Sequence, residues 1–123
     1  MHNICYLEIP STNLKTSKEF YENVFGWKVE IRPDNNYACW ETGEGVGGGF
    51  NLVKEICIWS KENPESCSLL YIKVDCIESK SKDIEVAGGK ILKAKTEVAN
   101  YGFYAVFEDP AGGVVAIWQS KAK

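Results

Sequence analysis

The order strand, helix, strand, strand, strand is written twice in this chain, and that repeat narrows the available folds more than any other feature. The first copy opens on "NICYLEIP", residues 3–10. Cys5, Leu7 and Ile9 alternate there with Ile4, Tyr6 and Glu8, the pattern of a strand with both faces largely covered. "STN" supplies N-cap candidates for a helix whose Leu14, Phe20, Tyr21, Val24 and Phe25 fall on one side. Gly26 ends that helix, because glycine takes the left-handed conformation without a Cβ clash, and the ending should fold Trp27 onto Tyr21. The aromatic cluster in "KEFYENVFGW" therefore reads as the core face of a helix and its stop signal rather than as a ligand box. Three strand candidates follow, "WKVEIR", "NYACWET" and "GGGFNLV", separated by the turn-rich "PDN" and "GEGVG".

A connection with the polar stretch "SKENPESCS" reads as a solvated loop. The second copy then runs "LLYIKVD", a shorter helix in "CIESKSKDIEVAGG" ended by Gly88 and Gly89, and strands in "KILKAKTEV", "GFYAVFED" and "GVVAIWQ". Superposing Ile9 on Val74 aligns the two opening strands at an offset of 65. Internal duplication is the simplest account, since two such halves can bury each other's sheet face.

With 123 residues, 45% hydrophobic and 25% charged, the chain has enough apolar material for one globular domain without disulfides or a structural metal. Five cysteines form no CxxC pair, which suits reduced thiols that mostly pack; Cys39 and Cys76 lack a histidine partner for a nucleophilic dyad and are expected to be buried and inert. A net charge of −3 with dispersed lysines builds no phosphate-binding stripe, so nucleic acid is not an expected partner. No apolar run approaches the roughly 18 residues of a membrane span and no basic leader stands at Met1, so the expected location is the cytoplasm, with no membrane partner. "GEGVGGG" lacks the lysine and following helix of a phosphate loop, and "EDPAGG" is a turn.

"LEIPSTNLKTSKEFYENVFGW", "YIKVDCIESKSKDIEVAGGKIL" and "FEDPAGGVVAIWQ" together resemble the vicinal oxygen chelate superfamily of glyoxalase I, bleomycin-resistance proteins and extradiol dioxygenases. The resemblance implies an α+β fold: two βαβββ modules in tandem, about 3–53 and about 69–120, joined by a connection at about 54–68, in an eight-stranded, cleft-enclosing mixed sheet with helices outside. Enzymes of that superfamily chelate a divalent ion in the cleft through His, Gln or Glu at about four places. Carried over, those places fall on Tyr6, Leu69, Ala116 and Gly48 or Gly49, none of which ligates such an ion in the usual way. His2, the only histidine, is expected near an exposed terminus. No metal and no cofactor are expected.

In the superfamily's register, Tyr6, Glu8, Leu69, Tyr71, Lys73, Ala116 and Trp118 should face the cavity. Trp40, Phe50, Phe103 and Phe107 are further candidates on intervening strands. Such a wall suits a small hydrophobic or aromatic molecule, including an electron-poor ring or an amine, unless the rings simply fill the space. Glu8 and Lys73, at equivalent places in the two modules, are expected to form a structural ion pair, with Glu8 the first choice of general base if chemistry occurs.

The expected function is a metal-independent small-molecule-binding protein of the glyoxalase/bleomycin-resistance type. The alternatives are a glyoxalase-related lyase or isomerase, using Glu8, Glu41 or Glu44 as unconventional metal ligands or Glu8 with Tyr6 as a metal-free acid–base pair, and a regulatory module whose cleft is filled by its own aromatics. The resemblance also implies a homodimer.

Overall fold

Asn13 starts the first helix: its side chain accepts from the Thr16 N–H at 3.1 Å, capping α1 (Leu14–Phe25). Gly26 closes α1 at φ 71°, donating to the Glu22 carbonyl at 3.1 Å, while the Trp27 N–H reaches the Tyr21 carbonyl at 3.2 Å. Trp27 thereby stacks on Tyr21 with ring centroids 4.9 Å apart, as the stop signal requires. The computed structural model describes residues 2–34, 36–56 and 68–121. The polar part of the connection, apart from Ser68, lies outside the described residues, as do Cys57 and Cys67.

The eight strands among the described residues fall into two four-stranded mixed sheets, and the chain divides into two compact units: Met1–Ile56 with Pro110–Gly113, and Cys57–Asp109 with Val114–Lys123. In the first unit, β1 (Leu7–Ser11), β2 (Lys28–Ile31), β3 (Tyr37–Glu41) and β4 (Gly48–Leu52) take the order β1-β4-β3-β2, with β1 and β4 parallel. β1 begins later than the apolar run "NICYLEIP" suggests. In parallel register, residues before Leu7 would pair with the stretch before Gly48, and that stretch turns through Gly43 and Gly45 at φ 98° and 80°. The Pro110–Gly113 turn belongs to this unit, where the Ala111 carbonyl accepts from both the Thr12 N–H (3.0 Å) and the Thr12 Oγ1 (2.8 Å).

The second unit repeats the plan. β5 (Tyr71–Lys73), β6 (Lys90–Val98), β7 (Gly102–Glu108) and β8 (Val114–Ser120) run in the order β5-β8-β7-β6, with β5 and β8 parallel. α2 (Ile77–Val86) lies between β5 and β6. Gly88 carries the left-handed turn at φ 96°, and the Gly89 N–H closes the helix end on the Ile84 carbonyl at 2.8 Å.

Each helix covers one face of its own sheet, but with different material. α1 buries Phe20 and Tyr21 over Phe50, Trp40 and Val29, with Tyr21–Phe50 and Trp27–Trp40 centroids at 5.2 and 4.4 Å. α2 buries only Ile77 and Ile84, in a unit where Ala105, Phe107, Val115 and Ile117 are also buried. A fully buried large apolar side chain contributes about 1.5–3 kcal/mol by area, and α1 buries Leu14, Phe20, Tyr21 and Val24 where α2 buries Ile77 and Ile84. No helix among the described residues is long and apolar enough to cross a membrane.

Candidate functional site

Strand register assigns every side chain of the first sheet to one of two faces. Ile9, Phe50, Ala38 and Ile31 stand opposite one another on the α1 face, as do Leu7, Gly48, Trp40 and Val29. The intervening rows, Glu8–Gly49–Cys39–Glu30 and Pro10–Asn51–Tyr37, occupy the face turned away from α1. Trp40 and Phe50, expected in a cavity wall, are instead core residues at 4% and 0% exposure. The aromatic side of α1 needs partners, and these two rings meet it.

The face away from α1 carries a hydrogen-bonded group of four. Tyr37 donates to Glu8 Oε2 at 2.8 Å, and Asn51 Nδ2 donates to Glu8 Oε1 at 2.9 Å. The Tyr6 and Tyr37 hydroxyls are 2.7 Å apart; because the single Tyr37 proton goes to Glu8, Tyr6 is the donor of that bond. Tyr37 sits on β3 and Glu8 on β1, so the phenol must cross β4, and it does so over Gly49. A Cβ at Gly49 would lie 2.0 Å from the Tyr37 hydroxyl oxygen. Its neighbour Gly48 is pressed from the other face: a Cβ there would be 2.5 Å from Trp40 and 1.9 Å from the Leu7 carbonyl. The Arg32 guanidinium lies 5.2 Å from the Tyr37 ring centroid and contacts Cys39 Sγ at 3.5 Å.

The donors Asn51 and Tyr37 hold the Glu8 carboxyl below the usual carboxylate range. Burial, with the bonds to Tyr6 and Glu8, pushes the Tyr37 phenol up. Glu8 is therefore an anchored, ionised carboxylate and Tyr37 a neutral donor at ordinary pH. Lys73, the expected partner of Glu8, belongs to the other unit; Tyr37 and Asn51, which bond Glu8, belong to its own sheet.

In the second unit the face away from α2 is largely apolar. Tyr71, Ala116, Val106 and Lys93 form one row across β5, β8, β7 and β6, and Lys73, Trp118, Tyr104 and Thr96 form the next. Leu69, Leu92, Tyr104 and Val114 pack against buried Val106 and Ala116. A pocket of about 420 Å³ opens among Tyr71, Val98, Tyr104 and Trp118. Tyr71 and Tyr104 have centroids 6.1 Å apart, and Trp118 lies over Gly102, where a Cβ would come within 2.8 Å of the indole. Lys93 Nζ donates to the Tyr104 hydroxyl at 2.5 Å and stands 4.9 Å from that ring's centroid.

Tyr71, Lys73, Leu69, Ala116 and Trp118 share the face away from α2; of these, Tyr71 and Trp118 line the pocket, while Ala116 is fully buried beneath it. Phe103 is not on that face: it shares a row with Gln119, which accepts from the Ile77 N–H of α2 at 2.8 Å. Lys95, ion-paired to Glu78 of α2, covers the Phe103 ring at 4.3 Å. Phe107 is likewise fully buried, in the row of Ile91 and Val115. Tyr37, Asn51, Val98, Tyr104 and Lys93 are the site residues that sequence reasoning missed. Once Trp40 is assigned to the helix side, strand alternation alone turns Tyr37 to the other face.

Two further expectations need correction. Cys76 is exposed at the N-cap of α2, with its thiol lowered by hydrogen bonding with Ser79, and Cys5 is exposed as well; neither packs in a core. Among the described cysteines only Cys39, half-buried, approaches the expected setting.

At the places where the resemblance puts metal ligands, Ala116 is sealed in an apolar cluster with Leu69 packed against it, Gly48 and Gly49 lie beneath aromatic rings, and the Tyr6 hydroxyl is bonded to Tyr37. Among the described residues no group of three or more His, Cys, Asp or Glu side chains could hold a metal ion. The residues present do not fit a divalent cation at those places.

A βαβββ unit written twice, each with a mixed sheet and one covering helix, defines the class of tandem-module, glyoxalase-like proteins. The family model described as the Glyoxalase/Bleomycin resistance protein/Dioxygenase superfamily matches residues 3–117, and the chain belongs to that superfamily. It is 24% identical to the anthracycline biosynthesis protein DnrV of Streptomyces peucetius over 128 aligned positions, which cover 93% of this chain and 46% of DnrV. The chain thus spans about half the length of that curated relative. Among solved structures, a glyoxalase/bleomycin resistance protein/dioxygenase family enzyme from Burkholderia phytofirmans PsJN matches at a TM-score of 0.76 and 22% identity, covering 98% of this chain and 100% of that one. The E126Q mutant of the fosfomycin resistance protein FosX from Listeria monocytogenes, in complex with Mn(II) and 1S,2S-dihydroxypropylphosphonic acid, matches at 0.77 and 10% identity, covering 98% and 92%.

Proposed function

We propose that this chain binds a small planar aromatic molecule without a metal ion. The observation that carries the reading is the 420 Å³ pocket walled by Tyr71, Tyr104, Trp118 and Val98. Its volume lies in the range of small-molecule sites, and its rings offer faces and edges for stacking. The unsuitable donors at Tyr6, Gly48, Gly49, Leu69 and Ala116 support metal independence. That DnrV is named a biosynthesis protein is compatible with either a binding or a catalytic role.

Isothermal titration with 2-naphthol and quinoline, on protein with and without added Mn(II) or Zn(II), tests the reading. Saturable binding that is indifferent to the metal and lost in Trp118→Ala is expected. Stoichiometric tightly held metal, or no binding of either ring at millimolar concentration, overturns it.

The acid–base alternative draws on the Tyr6–Tyr37–Glu8 chain of hydrogen bonds. It is the weaker reading, because a carboxylate held below its usual range is a poor base near neutral pH. Turnover of any substrate abolished by Glu8→Gln in a folded protein would restore it. The homodimer and a cytoplasmic location belong to the same proposal; light scattering on the eluted protein checks the first.

A further inference from the structure

Beside the pocket of the second unit, at the hydroxyl of its lining residue Tyr104, stands a lysine that the preceding reading leaves unused. Lys93 sits between two register shifts in β6: Ile91 stands opposite Phe107, Lys93 opposite Val106, and Thr96 opposite Tyr104. Without the first shift Leu92 would face Val106, and Lys93 would share the α2 side with Ala105. The irregularity turns a lysine onto the apolar face, where a long regular strand would have placed a leucine, and bulges of this kind re-aim side chains beside sites.

The half-buried amine has no carboxylate partner among the described ion pairs; it meets the Tyr104 hydroxyl instead. Lys93 donates to Tyr104 Oη, which leaves the phenol proton available to a further acceptor and polarised toward it. Lys73 lies in the same row as Trp118 and Tyr104, adding a second cation to this face. Glu108, also on this face, stands opposite Lys90 in the register. Lys93 already occupies the Tyr104 ring as its cation, so a cationic ligand would meet like charge there.

We infer that the pocket selects aromatic ligands bearing an anionic group, such as an aryl carboxylate, with the anion held at the Lys93–Tyr104 corner and the ring against Trp118 and Tyr71. This rests on the aromatic-pocket reading and specifies its ligand class. A charge-assisted contact of this kind is worth about tenfold in affinity, and less as salt rises.

The test uses a matched pair, 2-naphthoate and 2-naphthamide, titrated into wild type, Lys93→Met and Lys93→Arg, each first checked for a cooperative thermal transition. Wild type should prefer the carboxylate by about tenfold, Lys93→Met by less than about twofold, and Lys93→Arg should retain the preference. If Lys93→Met does not fold, Tyr104→Phe serves in its place and should also diminish the preference. Equal binding of the two compounds to wild type, or a preference unchanged in Lys93→Met and Tyr104→Phe, overturns the anion assignment while leaving the aromatic pocket standing. Binding of neither compound overturns both.

Discussion

In the first unit the sheet face turned away from the helix holds Glu8, Tyr37, Asn51 and Tyr6 in one hydrogen-bonded group. In the second, the corresponding face holds Val106, Ala116 and Leu69 beside the Tyr71–Tyr104–Trp118 pocket, with Lys93 bonded to the Tyr104 hydroxyl. Strand order and helix placement are the same in both. The duplicated plan fixes which rows face a helix, because those rows must be apolar for the unit to form at all. The other rows are free of that demand, and the two copies have used the freedom differently: one for an anchored carboxylate, the other for an apolar hollow.

The largest expected break in this comparison comes from the two tryptophans that lie on opposite kinds of face. Trp40→Ala should lower unfolding stability by about 3–5 kcal/mol, since it empties the centre of the first core. Trp118→Ala, on the half-buried pocket row, should cost clearly less while abolishing ligand binding. Urea denaturation and ligand titration on both variants check the reversal.

Gly49→Ala should cost about 1–3 kcal/mol, because the added methyl must displace the Tyr37 phenol that crosses it. The same denaturation series, with the crystal position of Tyr37, provides the check. The helix starts offer a smaller contrast. Asn13→Ala should lose about 1 kcal/mol by removing a working cap, whereas Cys76→Asp should gain up to about 1 kcal/mol, since the Cys76 side chain makes no capping hydrogen bond at the start of α2.

The smallest effect concerns Glu8. Its folded-state pKa lies below the ordinary 4.5, so its contribution to stability is present above that value and is lost as pH falls through the lowered one. Tyr37→Phe removes one of the two donors, and the Glu8 midpoint, followed by carboxyl carbon NMR, should move up toward 4.5. An unmoved midpoint would detach Tyr37 from Glu8.

Much of the fold was legible. Gly26 and the Gly88–Gly89 pair ended both helices, and the Trp27–Tyr21 contact followed from the first stop alone. Local sequence carries such signals because they depend on one residue's backbone freedom. The site was half legible. Alternation in "LLYIKVD" and "GVVAIWQ", set in the register that the family resemblance implies, named Tyr71, Ala116 and Trp118, but in "GFYAVFED" both faces are apolar, so Phe103 and Tyr104 could not be told apart by pattern. In "NYACWET" the large ring of Trp40 drew the assignment that belonged to Tyr37. Lys93 was invisible for a different reason: period-two counting fails across a bulge, and nothing in "KILKAKTEV" marks where the extra residues sit.

The two neighbouring glycines of β4 have one further consequence. Trp40 lies over Gly48 on one side of the strand and Tyr37 over Gly49 on the other, so a slip by one position toward the end of β4 would drive Phe50 beneath the Tyr37 ring. Alignment of β3 with β4 is therefore clamped by the rings, not by the segment joining them. Residues 42–47 are released from that duty, and the chain can lengthen there without dragging the phenol away from its carboxylate.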